Sequence, residues 1–502
     1  MGPMNRLSVV FILLSLFLLG SCEYSSNGRE GIKVGLSQLP MSLDPRYATD
    51  AASHRVQEFL HCGLSRLDDQ FLPQPDLAES WKHPDPLSWE FTLKQNIRFH
   101  DGGLVRASDV AATLNAVLDQ TMASPLRAGL AAVSEIKVLA DNRIRIELNR
   151  PDASLLTRLS IGIIPASIAG QGHAPRNMIG CGSYRLLSWQ GNQLDITPAD
   201  GSSGLNHIRF IGVKDPVTRS MKLVRGEIDF TQGDLPPHLL PYLQKQAGIE
   251  IQYEPSTTFS YIGLNFQDRY LKDLRVRRAL ALGLDRRRLK KALYSDLPEL
   301  AETVLTSSHW AVATLSETPF DPAEAERLLD EAGFSRDAEG VRFHLTYRTS
   351  TNPTRLRLVT AIADGWQKLG VDVSIESLEW GGFYARIKRG DFQVFSLDWV
   401  GITDPDIYRW ILHSEMWPPS GSNRGRYGNS RMDRWLDAAA GREIQEERAL
   451  LYAKVQQQMQ ADQVYIPLWY QPVIAVSGPR IRGFKPAPDG SLRSLQTVSI
   501  TN

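Results

Sequence analysis

Apolar residues recur along this chain with two different spacings, every second position in some stretches and every third or fourth position in others. The stretches "IKVGLSQLP" (32–40) and "WEFTLK" (89–94) alternate apolar residues with polar or small ones, which is typical of half-buried strands. The stretch "ASDVAATLNAVLDQ" (107–120) instead places its apolar residues three and four positions apart, on one face of a helix. Because such strands and helices follow each other, the pattern predicts an α/β fold.

Two later segments carry strong local signals. In "FDPAEAERLLDEAGF" (320–334), Asp321 is placed to cap a helix, Pro322 suits its first position and Gly333 suits its end. The segment 354–380 reads as a helix, a glycine turn and a strand, which predicts one crossover of a βαβ unit.

Length and charge limit the possible functions. A chain of 502 residues is too long for a single core, so two or three domains are expected. Lys and Arg together number 56, as do Asp and Glu, and no long block of one sign occurs, which argues against a nucleic-acid partner. The 11 Trp and 15 Tyr offer rings that can stack on a ligand.

The N-terminus has the layout of a signal peptide over residues 1–22. Arg6 precedes an apolar stretch from Leu7 to Leu19, which is shorter than the roughly 20 residues of a membrane-spanning helix. The following Gly20-Ser21-Cys22 resembles a bacterial lipobox, so Cys22 is the expected lipidation site, with ordinary secretion as the alternative. Residues 23–31 are expected to form a polar tether.

The other two cysteines, Cys62 and Cys181, leave two readings open. They can pair in an oxidising compartment, or they can be two buried thiols, since cysteine is often a small core residue. Their spacing does not suggest zinc, and no metal or cofactor is expected.

Catalytic and nucleotide-binding motifs are missing from the sequence. His100 beside Asp101 offers a base and its orienting group, but a turn built on Asp and Gly is the commoner use of "HDGG". The basic stretch "DRRRLKKALY" (285–294) is interpreted as a solvated helix face. The sequence therefore favours a binding protein over an enzyme, with an extracytoplasmic hydrolase as a remote alternative.

A series of short motifs extends over nearly the whole chain after Cys22. They are "SLDP" (42–45), "LPQPDLAESW" (72–81), "WEFTLKQNIRFHDG" (89–102), "ASDVAATL" (107–114), "RGEIDF" (225–230), "YIGLNF" (261–266), "DLRVRRALALGLDR" (273–286), "FDPAEAERLLDEAGF" (320–334), "GDFQVFSLDWVGITDP" (390–405) and "IPLWY" (466–470). Their order resembles that of the large extracytoplasmic solute-binding proteins of bacterial ABC importers, family 5, the oligopeptide, dipeptide and nickel group.

This resemblance implies a bilobal, periplasmic-binding-protein-like α/β fold of class II, in the large cluster with an extra subdomain. Lobe I is then expected over residues 32–258, with a subdomain inserted at about 55–178. Lobe II follows over 259–475, and residues 476–502 return to lobe I. Two crossing segments would join the lobes, which close on a ligand by a hinge motion.

The resemblance also places two tryptophans in the ligand pocket. Trp380 follows a glutamate as in peptide-binding members, and Trp399 matches their second pocket tryptophan. Large flat rings suit a site that holds varied side chains. The alternative is that both rings fill the core at strand ends.

One position departs from the peptide-binding pattern. Those members commonly carry an aspartate three residues after the second tryptophan, where it pairs with the ligand's α-ammonium, but this chain has Ile402. Asp404 and Asp406 are the nearby carboxylates, and they are candidate ligand contacts or a turn and helix cap around Pro405. Recognition of an α-ammonium is therefore in question.

Five further residues are candidate contacts from the same resemblance. Asn423 and Tyr427 lie in "GSNRGRYGN" (421–429), for which loop-building is the alternative role. Asp50, Ala51 and Ser53 follow the "SLDP" motif, where relatives approach the ligand backbone.

The resulting functional hypothesis is a periplasmic, monomeric lipoprotein that captures a small polar solute, peptide or peptide-like. It would deliver that solute to an ABC permease with its ATPase subunits. A metal-chelate or haem receptor on the same fold is the alternative, for which His413 is the nearest histidine to the "DPD" loop.

Overall fold

The computed structural model describes residues 31–174, 176, 178–200, 205–442 and 444–501. The predicted signal peptide, the predicted lipidation site Cys22 and all but the last residue of the predicted tether lie outside these residues. Among the described residues, no helix has the length and apolar content needed to cross a membrane.

The strands are distributed over the whole described chain. They are β1 Ile32–Leu36, β2 Ser65–Leu67, β3 Pro73–Pro75, β4 Ala78–Asp85, β5 Ser88–Leu93, β6 Val133–Ala140, β7 Arg143–Leu148, β8 Tyr184–Gln190, β9 Gln193–Pro198, β10 Ile208–Gly212, β11 Phe230–Gln232, β12 Glu250–Leu264, β13 Glu299–Leu300, β14 Phe343–Ser350, β15 Val371–Leu378, β16 Val394–Trp399, β17 Tyr465–Ser477, β18 Ile481–Arg482 and β19 Ser499–Ile500.

The α-helices lie between them. They are α1 Ala51–Leu60, α2 Ala107–Leu118, α3 Leu155–Arg158, α4 Ala166–Ala169, α5 Pro216–Val224, α6 Leu240–Gln244, α7 Leu274–Leu282, α8 Arg286–Tyr294, α9 Pro322–Glu331, α10 Pro353–Lys368, α11 Trp380–Arg389, α12 Ile407–Leu412, α13 Ser430–Ala440 and α14 Gln445–Ala461.

Local sequence signals account for several of these limits. Helix α9 begins where predicted, with the Asp321 carboxylate accepting a hydrogen bond of 3.0 Å from the backbone N–H of Glu324. Helix α10 and strand β15 form the predicted crossover, because β15 pairs in parallel with β14. The predicted α/β fold is confirmed.

One large sheet runs through both lobes. In the part of the chain that the structure describes, eleven strands form this sheet in the order β15-β14-β16-β12-β17-β11-β1-β10-β9-β8, with β13 attached to β17. Lobe I is built on β1 and β8 to β11, and lobe II on β14 to β16. Strands β12 and β17 are antiparallel partners and connect the two lobes.

The pairing of these two crossing strands is interrupted midway. It runs as far as Pro255 opposite Pro472 and resumes with Phe259 opposite Tyr470. Residues 256–258 therefore bulge out of the ladder, and a bulge locally bends a strand. The break falls beside the predicted lobe boundary at residue 258; the boundaries themselves stay predictions.

Each lobe has a hydrophobic core of its own. One core joins β1, β8 to β10 and the C-terminal residues, while two others fill lobe II around β12, β14 and β16. A further core belongs to the inserted subdomain, where α2 packs on the sheet β4-β5-β7-β6. Separate cores allow the bodies to move against each other.

Cys62 and Cys181 form a disulfide, with their Cα atoms 5.4 Å apart. Of the two readings left open by the sequence, the structure has the paired one. The bond ties the chain just after α1 to the segment that leads into β8, at the junction of lobe I and the subdomain.

Candidate ligand-binding site

A cavity of about 760 Å³ lies between the lobes at the break in the crossing strands. Two smaller cavities of about 460 and 360 Å³ share His54 and Ser160 with it and extend the cleft toward the subdomain. The main cavity is lined by Thr49, Ala51, His54, Arg55, Glu58, Leu67, Thr157, Ser160, Gly233, Asp234, Leu235, Pro237, Ser256, Thr257, Thr258, Tyr294, Val400, Gly401, Thr403, Gln471, Pro472, Val473, Ile474, Pro488, Asp489, Gly490, Ser491 and Arg493.

The loop after the "SLDP" motif forms one wall of this cavity. Asp50 caps α1 by accepting a hydrogen bond of 2.9 Å from the backbone N–H of Ser53. The Ser53 hydroxyl accepts from the backbone N–H groups of Met41 and Ser42 at 3.0 and 3.1 Å. Of the three predicted contacts here, Ala51 lies on the cavity wall, whereas Asp50 and Ser53 hold the loop in shape.

Trp380 and Trp399 belong to one column of stacked groups in lobe II. The Trp399 ring lies parallel to that of Tyr261, with centroids 6.0 Å apart, and the Arg424 guanidinium sits 4.2 Å from its centroid. Trp380 stacks on Tyr384, which accepts a hydrogen bond of 3.2 Å from Arg424. Arg424 therefore links the two tryptophans, although neither ring is among the residues that line the main cavity.

The residues directly after Trp399 do reach the cavity. Val400 is 76% exposed there, and Gly401 has a φ of +70°, which favours glycine. Ile402 turns inward: it is 6% exposed and packs in the core of lobe II, and its backbone N–H donates to the Thr257 carbonyl at 3.1 Å. The position where peptide-binding relatives are expected to carry a carboxylate is therefore apolar and buried here.

Asp404 and Asp406 join lobe II to the inserted subdomain. The Ser154 hydroxyl lies 3.0 Å from an Asp404 carboxylate oxygen and 2.6 Å from one of Asp406, and the Thr157 hydroxyl donates to Asp404 at 2.9 Å. Arg448 donates to the Ser154 oxygen at 3.2 Å. We call these five residues the Asp404–Asp406 bridge.

Burial and the neighbouring Asp406 carboxylate raise the pKa of Asp404. Asp404 also forms the predicted turn, since it accepts a hydrogen bond of 2.8 Å from the backbone N–H of Asp406. Asp406 precedes α12, but its side chain makes no capping hydrogen bond. The two carboxylates are thus engaged by protein groups, and their role as ligand contacts stays a prediction.

Asn423 and Tyr427 lie inside the loop that precedes α13. The Asn423 amide donates to the carbonyls of Leu412, His413 and Tyr427 at 3.1, 3.1 and 2.8 Å. The Tyr427 hydroxyl donates to Asp462 at 2.5 Å. Both side chains are buried, and these contacts favour the loop-building alternative.

His413 is buried as well, away from the cavity. Its Nδ1 accepts a hydrogen bond of 3.1 Å from the backbone N–H of Glu415, and its Nε2 lies 3.4 Å from an Asp437 carboxylate oxygen. Within the described ranges, no group of three or more His, Cys, Asp or Glu side chains is arranged to hold a metal ion.

Several residues that line the main cavity were not predicted from the sequence. His54, Arg55 and Glu58 project from one face of α1, and Asp489 and Arg493 come from the returning C-terminal segment. The helical spacing of the first three was visible in "AASHRVQEFL". Nothing in the sequence indicated that residues 489–493 would meet that face.

Two lobes joined by crossing strands, with a polar cleft at the crossing, define a bilobal solute-binding protein. Residues 73–416 match the model of the bacterial extracellular solute-binding proteins, family 5 Middle, and the chain belongs to this family.

Two related proteins and one solved structure are similar to this chain over most of its length. The periplasmic oligopeptide-binding protein OppA of Salmonella typhimurium is 28% identical, covering 88% of this chain and 87% of its own. Heme-binding protein A of Haemophilus influenzae is 26% identical over 83% and 82% of the two chains. The structure of HbpA2 from Haemophilus parasuis has a TM-score of 0.85 at 21% identity, covering 94% of this chain and 100% of that one, and shows the fold.

Proposed function

We propose that this protein is the extracytoplasmic receptor of an ABC importer and that it captures a peptide or peptide-like solute in the cleft between its lobes. It hands the solute to a membrane permease that is driven by cytoplasmic ATPases. It binds as a monomer, is tethered to the membrane by a lipid on Cys22, and changes no covalent bond in the solute.

The cleft of about 760 Å³ is the observation that carries this proposal. Its volume suits a ligand of several residues, and pockets of this size bury most of a small ligand's surface. Its walls include the hydroxyl-bearing residues Ser256, Thr257 and Thr258 at the bulge in β12. The similarity to an oligopeptide-binding protein supports peptides as the ligand class.

Closure of the lobes would bring the aromatic column of lobe II toward the ligand. Trp380 is 54% exposed and presents a free part of its ring. Expulsion of water on closure strengthens the polar contacts in the cleft, because they then act in a lower dielectric. A ligand that binds the closed form more tightly shifts the population toward it.

Native mass spectrometry of residues 23–502, purified without denaturation, tests the proposal. We expect a bound species in the mass range of short peptides, which tandem fragmentation identifies. Ala51→Trp fills the cavity from an exposed position at the start of α1 and should abolish the adduct. Ala166→Trp, also at an exposed position at the start of its helix, α4, is the control. An adduct that persists in Ala51→Trp would place binding elsewhere.

Haem is the second candidate ligand, supported by the similarity to heme-binding protein A. His54 is an exposed residue of the cleft wall, and its imidazole is a possible ligand of a haem iron. Titration of the purified protein with haemin, followed by its visible spectrum, separates the two: a saturable spectral change that His54→Ala removes would favour haem.

A further inference from the structure

The charged side chains of the cleft lie on one side only. Lobe I contributes them from α1, from the loop after β11 and from the C-terminal segment: His54, Arg55, Glu58, Asp234, Asp489 and Arg493. In the described structure, the facing wall of lobe II presents uncharged residues: Tyr294, Val400, Gly401, Thr403 and Gln471. A charged group on the ligand must therefore be matched by lobe I.

Arg55 is held in place by a carbonyl group on its inner side. Its Nε donates to the Gly490 carbonyl at 2.9 Å, and Gln232 donates to the same oxygen at 2.7 Å. A Cβ at position 490 would lie 2.9 Å from a terminal nitrogen of Arg55, so glycine makes room for the guanidinium. The shared acceptor orients the guanidinium without using its terminal nitrogens.

Those terminal nitrogens have no ion-pair partner. Within the ranges that the structure describes, no carboxylate lies within 4.0 Å of the Arg55 nitrogens. Arginine presents a rigid fork of donors that matches a carboxylate with two parallel hydrogen bonds. Arg55 therefore presents an oriented guanidinium on the wall of the cleft, and its terminal nitrogens can donate to an anion.

Each nearby acid is already engaged elsewhere. Asp234 accepts a hydrogen bond of 2.5 Å from the buried Arg219. Asp489 accepts from the backbone N–H of Ser491 at 2.8 Å, and Glu58 accepts from the Ser491 hydroxyl at 2.6 Å. Burial raises the pKa of Glu58 to about 7, which reduces its negative charge at neutral pH. The charges of Glu58, Asp489 and Asp234 act on the Arg55 guanidinium, but none of the three forms an ion pair with it, so its terminal nitrogens keep room for an anion from the ligand.

We infer that Arg55 binds a carboxylate of the ligand. The charged groups of the ligand are then recognised by lobe I alone, before lobe II closes over the ligand. This inference rests on the proposed peptide function. The carboxylate can be the α-carboxylate of a peptide or a side-chain carboxylate, and both present the same planar group to the guanidinium. Loss of the contact is expected to weaken binding about 10- to 150-fold, because charge-assisted hydrogen bonds are worth about 1.5–3 kcal/mol.

Three synthetic libraries of tri- to pentapeptides test the inference. The first lacks Asp and Glu and has free C-terminal carboxylates; the second has the same sequences as C-terminal amides; the third consists of amides that contain Asp. Each is mixed with the protein, and bound peptide is measured by native mass spectrometry. Retention of the first library over the second identifies an α-carboxylate, and retention of the third over the second identifies a side-chain carboxylate.

Arg55→Gln removes the charge and should abolish the preference, and Arg55→Lys keeps a charge but not the fork. Arg225→Gln, which removes an exposed arginine of lobe I outside the cleft, is the control. Equal retention of the second library, or an Arg55→Gln variant that folds and keeps the preference, would overturn the inference while the peptide function stands. Failure of the unaltered protein to retain any library would overturn both.

Discussion

The Ser154 hydroxyl oxygen lies 2.6 Å from a carboxylate oxygen of Asp406, which is 252 residues further along the chain. This contact joins the inserted subdomain to lobe II beside the cleft. The same hydroxyl is 3.0 Å from Asp404, so one serine lies within hydrogen-bonding distance of two partly buried carboxylates. The Asp404–Asp406 bridge therefore connects the inserted subdomain to lobe II.

Removal of the Ser154 hydroxyl should weaken the Asp404–Asp406 bridge. Ser154→Ala removes the hydroxyl that lies between the two carboxylates and donates its one proton to them, and we expect the free energy of unfolding to fall by about 1–3 kcal/mol. Urea denaturation followed by tryptophan fluorescence measures the change. Ser167→Ala, at an exposed position in α4, is the control, and an equal effect of both substitutions would show that the contact contributes nothing.

The pH dependence of stability should report on Glu58. Burial raises its pKa from 4.5 to about 7 in the folded protein. The folded state then binds the proton more tightly than the unfolded state, so this group's contribution to stability is greatest at low pH and declines as the pH rises from about 4.5 through 7.

Glu58→Gln removes that titration. Relative to the unaltered protein, the variant should gain stability between pH 4.5 and 7.5, by up to about 3 kcal/mol for a shift of this size. Denaturation curves at pH 4.5, 6.0 and 7.5 give the difference. A difference that stays constant over this range would mean that Glu58 titrates normally.

Trp399 is expected to serve both binding and packing. Trp399→Ala should weaken peptide binding at least several-fold, measured by calorimetry on a peptide identified by mass spectrometry. The ring also packs against Tyr261 and Arg424, so its loss should cost about 2–4 kcal/mol of stability while the protein remains folded. Trp399→Phe keeps a ring and is the matched control. Unchanged affinity in the alanine variant would remove Trp399 from the site.

The disulfide should contribute strongly to stability. Cys62 and Cys181 are 119 residues apart in sequence, and linking positions so distant restricts the unfolded chain by about 4–5 kcal/mol in the loop-entropy model. The double variant Cys62→Ala/Cys181→Ala should unfold at lower urea concentration than the oxidised protein. If reduction of the unaltered protein produced no comparable loss, the bond would not form in solution.

Cys22 is expected to carry the lipid anchor. In cells fed an alkyne-bearing fatty acid, the unaltered chain should be labelled and sediment with membranes. Cys22→Ser should lose the label and move to the soluble extracytoplasmic fraction. Labelling that persists in this variant would place the lipid on another residue.

Local signals were sufficient for much of the fold. Helix α9 follows from Asp321, Pro322 and Gly333, because caps and helix breakers act within one turn of the residues that they influence. The crossover of α10 and β15 follows likewise from hydrophobic spacing and a glycine turn. The order of motifs identified the family before any contact was known.

The cleft itself depends on contacts that no local pattern encodes. Arg55 faces the cavity because α1 packs beside residues 489–493, more than 400 positions away, and the chain's return to lobe I after β17 sets that approach. Likewise, the backbone at Asn423 turns its amide toward three carbonyls, where a motif comparison suggested a ligand contact.

By itself, the sequence determined the α/β class, the limits of the well-capped helices and the family, since these depend on neighbouring residues and motif order. Only the tertiary structure decided that Cys62 meets Cys181, that the carboxylates of Asp404 and Asp406 face Ser154, and that Arg55 keeps free donors on the cleft wall. Those outcomes depend on which distant surfaces pack together, and packing is set by the whole set of cores at once.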